Sequence, residues 1–283
     1  MGGAKTVDKV VEAVRRAALR YRLDRVIKPV ETVPLYLAYL GRFVAWSSRH
    51  SAPDLGRGPH ARYLLYQQVL KSQALDQRPI GYLEFGVFQG DSIRWWLRNN
   101  VDPDSTFVGF DTFTGLAEQW GARSVGTFST QGQVPQIDDP RCSFEVGFFQ
   151  ETLPGFLQRS GPSGERAVYH LDADLYSSTL FVLTQLVPFL KAGDVLIFDQ
   201  FSSVLHEFRA LEDWVAAYPC RYEVLGSSND CTQVALKLTE PFEPGERLSG
   251  AEAPETSETT PSRRRRSVEG DSGAQKLPGV DRT

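Results

Sequence analysis

The stretch YLEFGVFQGDS (residues 82–92) decides the fold, because it carries an apolar run directly into a glycine turn and the start of a helical pattern. A dinucleotide-binding turn would follow the fingerprint G-x-G-x-x-G, with a second glycine two positions after Gly86. Here Phe88 stands at that position, and the next glycine is Gly90. The stretch therefore predicts a strand, a turn and a helix, and it disfavours a nicotinamide oxidoreductase.

Around this turn, short apolar runs alternate with helical patterns from Ile80 to Leu238. Such alternation is typical of a parallel sheet wrapped by helices. The pattern predicts strands at 80–86, 106–111, 142–148, 167–173, 193–199, 220–226 and 231–238, and helices at 90–100, 151–159, 176–190 and 204–218. The short linker GSSND should make the last two strands an antiparallel hairpin. We therefore predict an α/β fold with a doubly wound, Rossmann-like sheet of seven strands, mostly parallel.

Changes in composition divide the chain into three parts. Residues 1–78 have helical patterns and form an N-terminal extension, residues 79–240 carry the sheet, and residues 241–283 form a polar tail. The tail is too polar to bury a core, and we expect it to be disordered. Its Arg263 to Arg266 run could dock on an anionic surface, and we interpret it as a solvated segment.

The composition limits the classes of protein. The chain has 283 residues, 41% of them hydrophobic, and a formal net charge of −4. This balance allows a sizeable core and gives no sign of nucleic acid as a partner. The three cysteines form no C-x-x-C pair, and no apolar run reaches the roughly 18 residues of a membrane span. We expect a cytoplasmic protein without nucleic-acid or membrane partners.

Four acidic residues are spaced by the length of a strand–helix–strand unit. Glu84 and Asp111 are 27 positions apart, and so are Asp172 and Asp199. Each pair should therefore emerge from neighbouring strands, at the carboxyl edge of the sheet where such folds bind ligands. We expect the four carboxylates to line one crevice.

An acidic rim favours a cationic ligand over a phosphate. A pyrophosphate needs a helix N-terminus that is free of competing negative charge, whereas Glu84 precedes this turn and Asp91 opens the helix. S-adenosylmethionine has a sulfonium and an ammonium group and no phosphate. Asp111 could accept hydrogen bonds from both ribose hydroxyls, and Gly86 would let the methionine part lie against the backbone.

Five segments carry a resemblance to a known family. They are YLEFGVFQGDS, FVGFDTFTGLAE, GFFQETLPGFL, HLDADLYSST and GDVLIFDQF, in this order. Over residues 80–238 the chain resembles class I S-adenosylmethionine-dependent methyltransferases similar to the macrocin O-methyltransferase family, which methylates sugars of macrolide antibiotics. The resemblance implies the seven-strand methyltransferase fold, S-adenosylmethionine as cofactor and a small-molecule acceptor.

The resemblance also implies the residues that contact the cofactor. They are Glu84, Gly86, Val87, Phe88, Gly90 and Ser92 at the turn, Asp111 as the ribose-binding acid, Thr112 and Phe113 beside the nucleoside, Phe149 and Gln150 at the adenine, and Asp172. For the phenylalanines, packing in the core is the alternative. For Asp111 the alternative is a turn or helix cap.

Related enzymes hold a divalent metal at the ends of the fourth and fifth strands, which here are Asp172 and the pair Asp199 and Gln200. Oxygen ligands of this kind favour Mg²⁺. Gln200 stands where many of these enzymes carry a second carboxylate, and its neutral amide should weaken metal binding. The alternative is that Asp172 and Asp174 cap the helix that begins at LYSST.

Methyl transfer requires alignment of the acceptor and removal of its proton, because the sulfonium is already an activated donor. A metal at Asp172 would assist by binding the hydroxyl and lowering its pKa. His206 is the candidate base outside the metal site, with a surface or capping role as the alternative. His170 lies inside a strand, and we expect it to be packed in the core.

The sequence thus favours Mg²⁺-assisted O-methylation of a sugar or other small polar natural product. Alternatives are an N- or carboxyl-methyltransferase of the same fold and a non-catalytic nucleotide-binding module. The acceptor should contact the loop WGARSVGTFSTQGQVPQ (residues 120–136). In similar enzymes the N-terminal extension serves as a lid or a dimer contact, so a homo-oligomer is a further expectation; covering the sheet is the structural alternative.

Overall fold

The computed structural model describes residues 2–23, 28, 31–50 and 53–242. The predicted tail beyond Phe242 lies outside these residues. Three helices precede the sheet: α1 (Gly2–Arg20), α2 (Thr32–Arg49) and α3 (Ala61–Ser72). No helix in the described ranges is both long and apolar enough to cross a membrane.

Seven strands form one sheet with the order β3-β2-β1-β4-β5-β7-β6. The strands are β1 (Ile80–Phe85), β2 (Thr106–Asp111), β3 (Cys142–Val146), β4 (Arg166–Leu171), β5 (Val195–Phe198), β6 (Arg221–Ser228) and β7 (Gln233–Glu240). The helices between them are α4 (Asp91–Asn99), α5 (Phe149–Arg159), α6 (Tyr176–Leu186) and α7 (Glu207–Ala217). Strands β1 to β5 pair in parallel, and β7 is antiparallel to β5 and β6. The predicted fold class is confirmed.

The central strands of the sheet are buried on both faces, in agreement with the sequence of β1. All six residues of β1 are buried, which is typical of a parallel strand covered by helices on both sides. Leu83 and Phe85 belong to an apolar cluster that includes residues of α5, α6 and α7. Ile80 and Tyr82 belong to a second cluster with residues of α3 and α4. The strand direction alternates side chains between the two clusters.

Two of the N-terminal helices contribute to these clusters. Trp46 of α2 is 1% exposed, and its ring centroid lies 4.7 Å from that of Phe201. The Trp46 indole N–H donates to the Tyr222 hydroxyl at 2.9 Å, which ties α2 to β6. Tyr66 of α3 is buried in the cluster on the opposite face. Helices α2 and α3 therefore cover the two faces of the sheet.

The predicted element boundaries differ from the observed ones where turns intervene. The helix expected at 176–190 ends as an α-helix at Leu186 and continues as a 3₁₀ turn over Val187–Phe189. Pro188 explains the change, because it has no N–H to continue the α-helical hydrogen bonds. The terminal hairpin lies about two residues later than expected, since Asn229, Asp230 and Cys231 have positive φ angles and form the turn.

Candidate active site

Three aspartates lie at the carboxyl ends of β2, β4 and β5, on the two sides of the central strand β1. Asp111 is the last residue of β2. The N–H of Asp172 donates to Phe85 of β1 at 2.9 Å, and the N–H of Asp199 donates to Leu171 of β4 at 3.0 Å. These hydrogen bonds continue the ladder one residue beyond the strands, so the backbone positions of Asp172 and Asp199 are held by the sheet. The predicted meeting of acidic residues at one edge is confirmed for these three.

A cavity of about 400 Å³ opens at this edge. Nine of the residues expected in the site lie on its wall: Gly86, Phe88, Asp111, Thr112, Phe149, Gln150, Asp172, Asp199 and Gln200. They come from the turns after β1, β2 and β5, from the loop after β4 and from the start of α5. The edge of the sheet therefore brings most of the predicted residues together in one cavity.

Six expected residues do not lie on the wall: Glu84, Val87, Gly90, Ser92, Phe113 and His206. Glu84 and Ser92 are buried at 1% and 3% exposure. Val87 and Phe113 belong to the apolar cluster on the α4 face, so core packing is correct for Phe113. Gly90 has a φ of 78° and is the N-cap residue of α4, so it lies at the start of this helix and not on the cavity wall. The expectation that Glu84 lines the crevice is wrong, and Asp174 occupies a place on the wall instead.

Gly86 occupies a position that no other residue can fill without moving the backbone. Its φ is 94°, in the left-handed region that L-residues rarely adopt. A Cβ atom at this position would overlap the carbonyl oxygen of Asp172. The glycine therefore permits close contact between the turn after β1 and the end of β4.

Asp111 organises the glycine turn with both carboxylate oxygens. Its Oδ2 accepts the N–H groups of Val87 at 2.8 Å and Phe88 at 2.9 Å. Its Oδ1 accepts the N–H of Phe113 at 2.7 Å. A carboxylate can accept about four hydrogen bonds, so it retains capacity for a ligand hydroxyl. Asp111 is thus both a turn residue and a wall residue, and the two interpretations of the sequence are compatible.

A cation from α3 contacts one of these acidic residues. The Arg62 Nη2 atom lies 3.1 Å from Asp199 Oδ2, and the Asp199 side chain is only 2% exposed. Burial raises the pKa of Asp172 well above its usual value, and the neighbouring charge of Asp199 adds to this shift while Arg62 opposes it. Arg62 lies in the helical extension and not at a strand end, so the spacing of the strands could not identify it.

Two further carboxyl groups lie at the site although their positions in the sequence did not indicate a site role. Asp174 lies on the cavity wall with a φ of 58°. Burial raises its pKa to about 7, and Asp199 adds to this effect. Glu207 of α7 is buried and accepts the N–H of Gln200 at 2.9 Å. Burial raises the pKa of Glu207 well above its usual value. The sequence feature that could have indicated Glu207 as a site residue is its position in the first turn of the helix that follows β5.

Neither Asp172 nor Asp174 caps helix α6. Within the described chain, their side chains accept no hydrogen bond from the first turn of that helix, whose N-cap is Leu175. Asp172 instead lies beside Asp199, and Asp174 faces the cavity. The capping alternative is therefore wrong.

A hydrogen-bonded chain of buried side chains lies beneath the glycine turn. His170 contacts the hydroxyls of Tyr66 at 3.2 Å and Tyr82 at 2.9 Å through its two ring nitrogens. Tyr82 donates to Glu84 at 2.9 Å, and the Tyr66 hydroxyl lies 3.2 Å from Ser92 Oγ. Burial lowers the pKa of His170 to about 3, so the ring is neutral. The predicted packing of His170 in the core is confirmed.

His206 lies outside the cavity, where the ring of Trp120 contacts it. The two ring centroids are 6.3 Å apart at a nearly perpendicular angle. Burial lowers the pKa of His206, and its Nδ1 is buried without a hydrogen-bond partner among the described residues. Trp120 belongs to the loop after β2, and Arg123 lies over its indole ring at 4.4 Å. The structure does not bring His206 together with the other predicted residues.

The loop after β2 forms part of the cavity wall. Leu116, Glu118 and Phe128 lie on this wall. The ring of Phe128 packs at a steep angle against Phe88 of the glycine turn, with centroids 6.0 Å apart. The loop segment 120–136 was expected to contact the acceptor, and it contributes Phe128 to the cavity wall.

The acidic residues fit a divalent cation in ligand chemistry. Ligand atoms of His170, Asp172 and Asp199 lie within 4.8 Å of one another. Both nitrogens of His170 already contact tyrosine hydroxyls, so the carboxylates are the available ligands, with the Gln200 amide beside them. Asp199 Oδ1 is buried and receives no hydrogen bond within the described ranges. A buried, unpartnered carboxylate oxygen is what a hard cation would satisfy.

Comparisons with known proteins agree with this architecture. Residues 60–232 match the family model described as macrocin-O-methyltransferase (TylF). A curated relative from Streptomyces olivaceus, named 8-demethyl-8-(2,3-dimethoxy-alpha-L-rhamnosyl)-tetracenomycin-C 4'-O-methyltransferase, is 37% identical over 50% of this chain and 63% of its own length. The chain thus spans less than two thirds of that relative.

Solved structures of two methyltransferases are also similar. The O-methyltransferase NovP is 22% identical, with a TM-score of 0.48 over 62% of this chain and 78% of NovP. The calicheamicin methyltransferase CalS11 is 24% identical, with a TM-score of 0.49 over 64% of this chain and 80% of CalS11.

Proposed function

Because the chain belongs to the macrocin-O-methyltransferase (TylF) family, we propose that it transfers the methyl group of S-adenosylmethionine to a hydroxyl of a sugar or another small polar natural product. The observation that carries this proposal is the cavity that joins the glycine turn, Asp111 and the aspartates after β4 and β5. The name of the Streptomyces olivaceus relative, a 4'-O-methyltransferase of a rhamnosyl compound, supports a sugar as acceptor.

The cofactor would bind along the glycine turn. Asp111 retains acceptor capacity for the ribose hydroxyls while it holds the turn. The side of the cavity formed by Phe149 and Gln150 is suited to the adenine. Gly86 lets the methionine part approach the backbone, and the negative charge of the neighbouring aspartates favours a sulfonium over a pyrophosphate.

The protein's part in the transfer is to position the acceptor and to accept its proton. We assign the role of proton acceptor to Asp174, because this carboxyl group lies on the cavity wall and His206 does not. Asp172, Asp199 and Gln200 would hold Mg²⁺, which supplies positive charge that lowers the pKa of the acceptor hydroxyl. Glu207 holds the backbone of Gln200 and thereby positions this residue.

Calorimetric titration with S-adenosylmethionine and, separately, NAD⁺ tests the cofactor assignment. We expect micromolar binding of S-adenosylmethionine and no binding of NAD⁺, both with Mg²⁺ and with excess chelator. Excess chelator should abolish transfer of a labelled methyl group to rhamnosylated acceptors while S-adenosylmethionine still binds. Failure to bind S-adenosylmethionine would contradict the proposal, and transfer that is insensitive to chelator would contradict the role of the metal.

Asp174→Asn should lower kcat by about 10²-fold or more, as is typical for loss of a general base. The affinity for S-adenosylmethionine should change less than about threefold, because the substitution conserves shape. His206→Gln is the matched comparison and should retain nearly full kcat. The assignment of Asp174 is wrong if the His206 variant loses more activity than the Asp174 variant in the same transfer assay.

A further inference from the structure

Arg62 enters the site from an element outside the strand–helix repeats. It lies in the first turn of α3, and its guanidinium contacts Asp199 Oδ2 at 3.1 Å. The Arg62 side chain is 31% exposed and forms part of the cavity wall. Arg62 is therefore a cation that contacts the buried Asp199 while part of its side chain is exposed to solvent.

Most of the carboxyl groups near Arg62 are buried. Glu84 and Asp199 are each 1% exposed, and Asp172 is half-buried on the cavity wall. The charge of Arg62 interacts with all three carboxyl groups. Burying a carboxylate is costly unless a counter-charge is close. The guanidinium thus supplies a charge that this part of the protein needs.

A guanidinium and a divalent cation would compete for the same carboxylate. Asp199 has one oxygen in contact with Arg62 and a second, buried oxygen to which no N–H group donates in the described structure. The Asp172 carboxyl lies within hydrogen-bonding reach of the Asp199 side chain. A divalent ion shared by Asp172 and Asp199 would lie only a few ångströms from the Arg62 guanidinium, where like charges repel strongly at low dielectric. Arg62 and a divalent cation would therefore compete for the negative charge of Asp199.

We propose that Arg62 is an exchangeable counter-ion of the Asp172–Asp199 pair, which holds the pair when no divalent cation is bound and leaves Asp199 when one binds. This inference rests on the proposed function only in that a metal is expected at these residues. It makes the metal affinity of the chain depend on a residue of α3. Divalent binding should therefore be weaker than the two carboxylates alone would allow.

Titration of the full chain with Mn²⁺, followed by calorimetry and by the electron paramagnetic resonance signal of free Mn²⁺, tests this inference. We expect Arg62→Gln to bind Mn²⁺ at least about tenfold more tightly than the unsubstituted protein, because the competing charge is gone. Without metal the variant should have a lower Tm, and Mn²⁺ should restore it.

The control is Arg159→Gln, which removes an arginine from the surface ion pair with Glu145. Its Mn²⁺ affinity should equal that of the unsubstituted protein. Arg62→Lys, which keeps the charge, should show little or no gain and serves if Arg62→Gln does not fold. The double variant Arg62→Gln/Asp199→Asn should lose the gain, because the ion needs Asp199.

Several results would overturn the inference. These are unchanged or weaker Mn²⁺ binding by Arg62→Gln, no Mn²⁺ binding by any variant, or a gain that persists without the Asp199 carboxylate. Binding of S-adenosylmethionine is measured on the same samples in chelator. If that binding fails in every sample, the proposed methyltransferase function is contradicted, while the order of Mn²⁺ affinities still decides the role of Arg62.

Discussion

Gly86→Ala is expected to abolish measurable binding of S-adenosylmethionine and to lower the Tm by on the order of 10 °C. A left-handed φ at a non-glycine residue costs about 1–3 kcal/mol, and the added Cβ would also overlap the Asp172 carbonyl oxygen. Relieving the overlap requires movement of a packed strand end, so we expect a total cost of about 4 kcal/mol. For a domain of this size each kcal/mol lowers the Tm by about 2–4 °C.

Gly132→Ala separates the two causes. Gly132 has a similar φ of 78°, but a Cβ at this position would meet no atom within 4 Å. This substitution should cost only the backbone strain, about 1–2 kcal/mol, and leave cofactor affinity unchanged. Thermal unfolding and calorimetry on both variants make the comparison. If the two variants lose similar stability and both bind cofactor, the close approach of Gly86 to Asp172 has no functional importance.

Asp111→Ala should weaken binding of S-adenosylmethionine by about 30-fold, which corresponds to about 2 kcal/mol. The substitution removes the acceptor for three backbone N–H groups of the turn and the proposed acceptor for the ribose hydroxyls. Hydrogen bonds to a carboxylate are stronger than neutral ones. Asp111→Asn retains one acceptor oxygen and should lose less affinity than Asp111→Ala.

Asp102→Ala is the control for this series. Asp102 also accepts a backbone N–H, from Asp104 at 2.9 Å, but it precedes β2 and so lies at the opposite end of the strand. Calorimetry should give an unchanged affinity for S-adenosylmethionine in this variant. If Asp111→Ala binds the cofactor as tightly as Asp102→Ala does, the ribose assignment is wrong.

The fold was predictable because its central strands are buried on both faces. Such strands, including β1, read as continuous apolar runs of limited length, and helical patterns separate them. The antiparallel hairpin followed from the brevity of its linker. Boundaries were less accurate, because Pro188 and the three left-handed residues of the hairpin turn act locally and leave no periodic signal.

Among the acidic residues, the site was predictable only for those at the end of a strand or directly after it. Asp172 and Asp199 come one residue after Leu171 and Phe198, so they emerge at the edge. Glu84 lies one residue before the end of β1 and shares the face of Tyr82, to which it is hydrogen bonded. The two pairs of acidic residues, Glu84 with Asp111 and Asp172 with Asp199, have the same spacing in the sequence. A shift of one residue along a strand, however, turns the side chain to the opposite face of the sheet.

The remaining errors concern contacts between distant segments. Arg62 reaches Asp199 across 137 positions of the sequence, and no short-range pattern predicts such an ion pair. His206 was expected near the acceptor because it follows β5, yet the loop after β2 brings Trp120 against it. That loop has no helical or strand period, so its path could not be inferred from residue types alone.

The buried chain from Tyr66 through His170 and Tyr82 to Glu84 also limits how this protein can be recombined with its relatives. Exchanging N-terminal segments is an obvious route to chimeras with altered acceptors, and α3 would be part of the exchanged segment. A crossover between α3 and β1 separates Tyr66 from its partner His170. A donor segment without a hydroxyl at this position would leave a buried imidazole nitrogen unpaired. Productive chimeras should therefore inherit these residues from one parent.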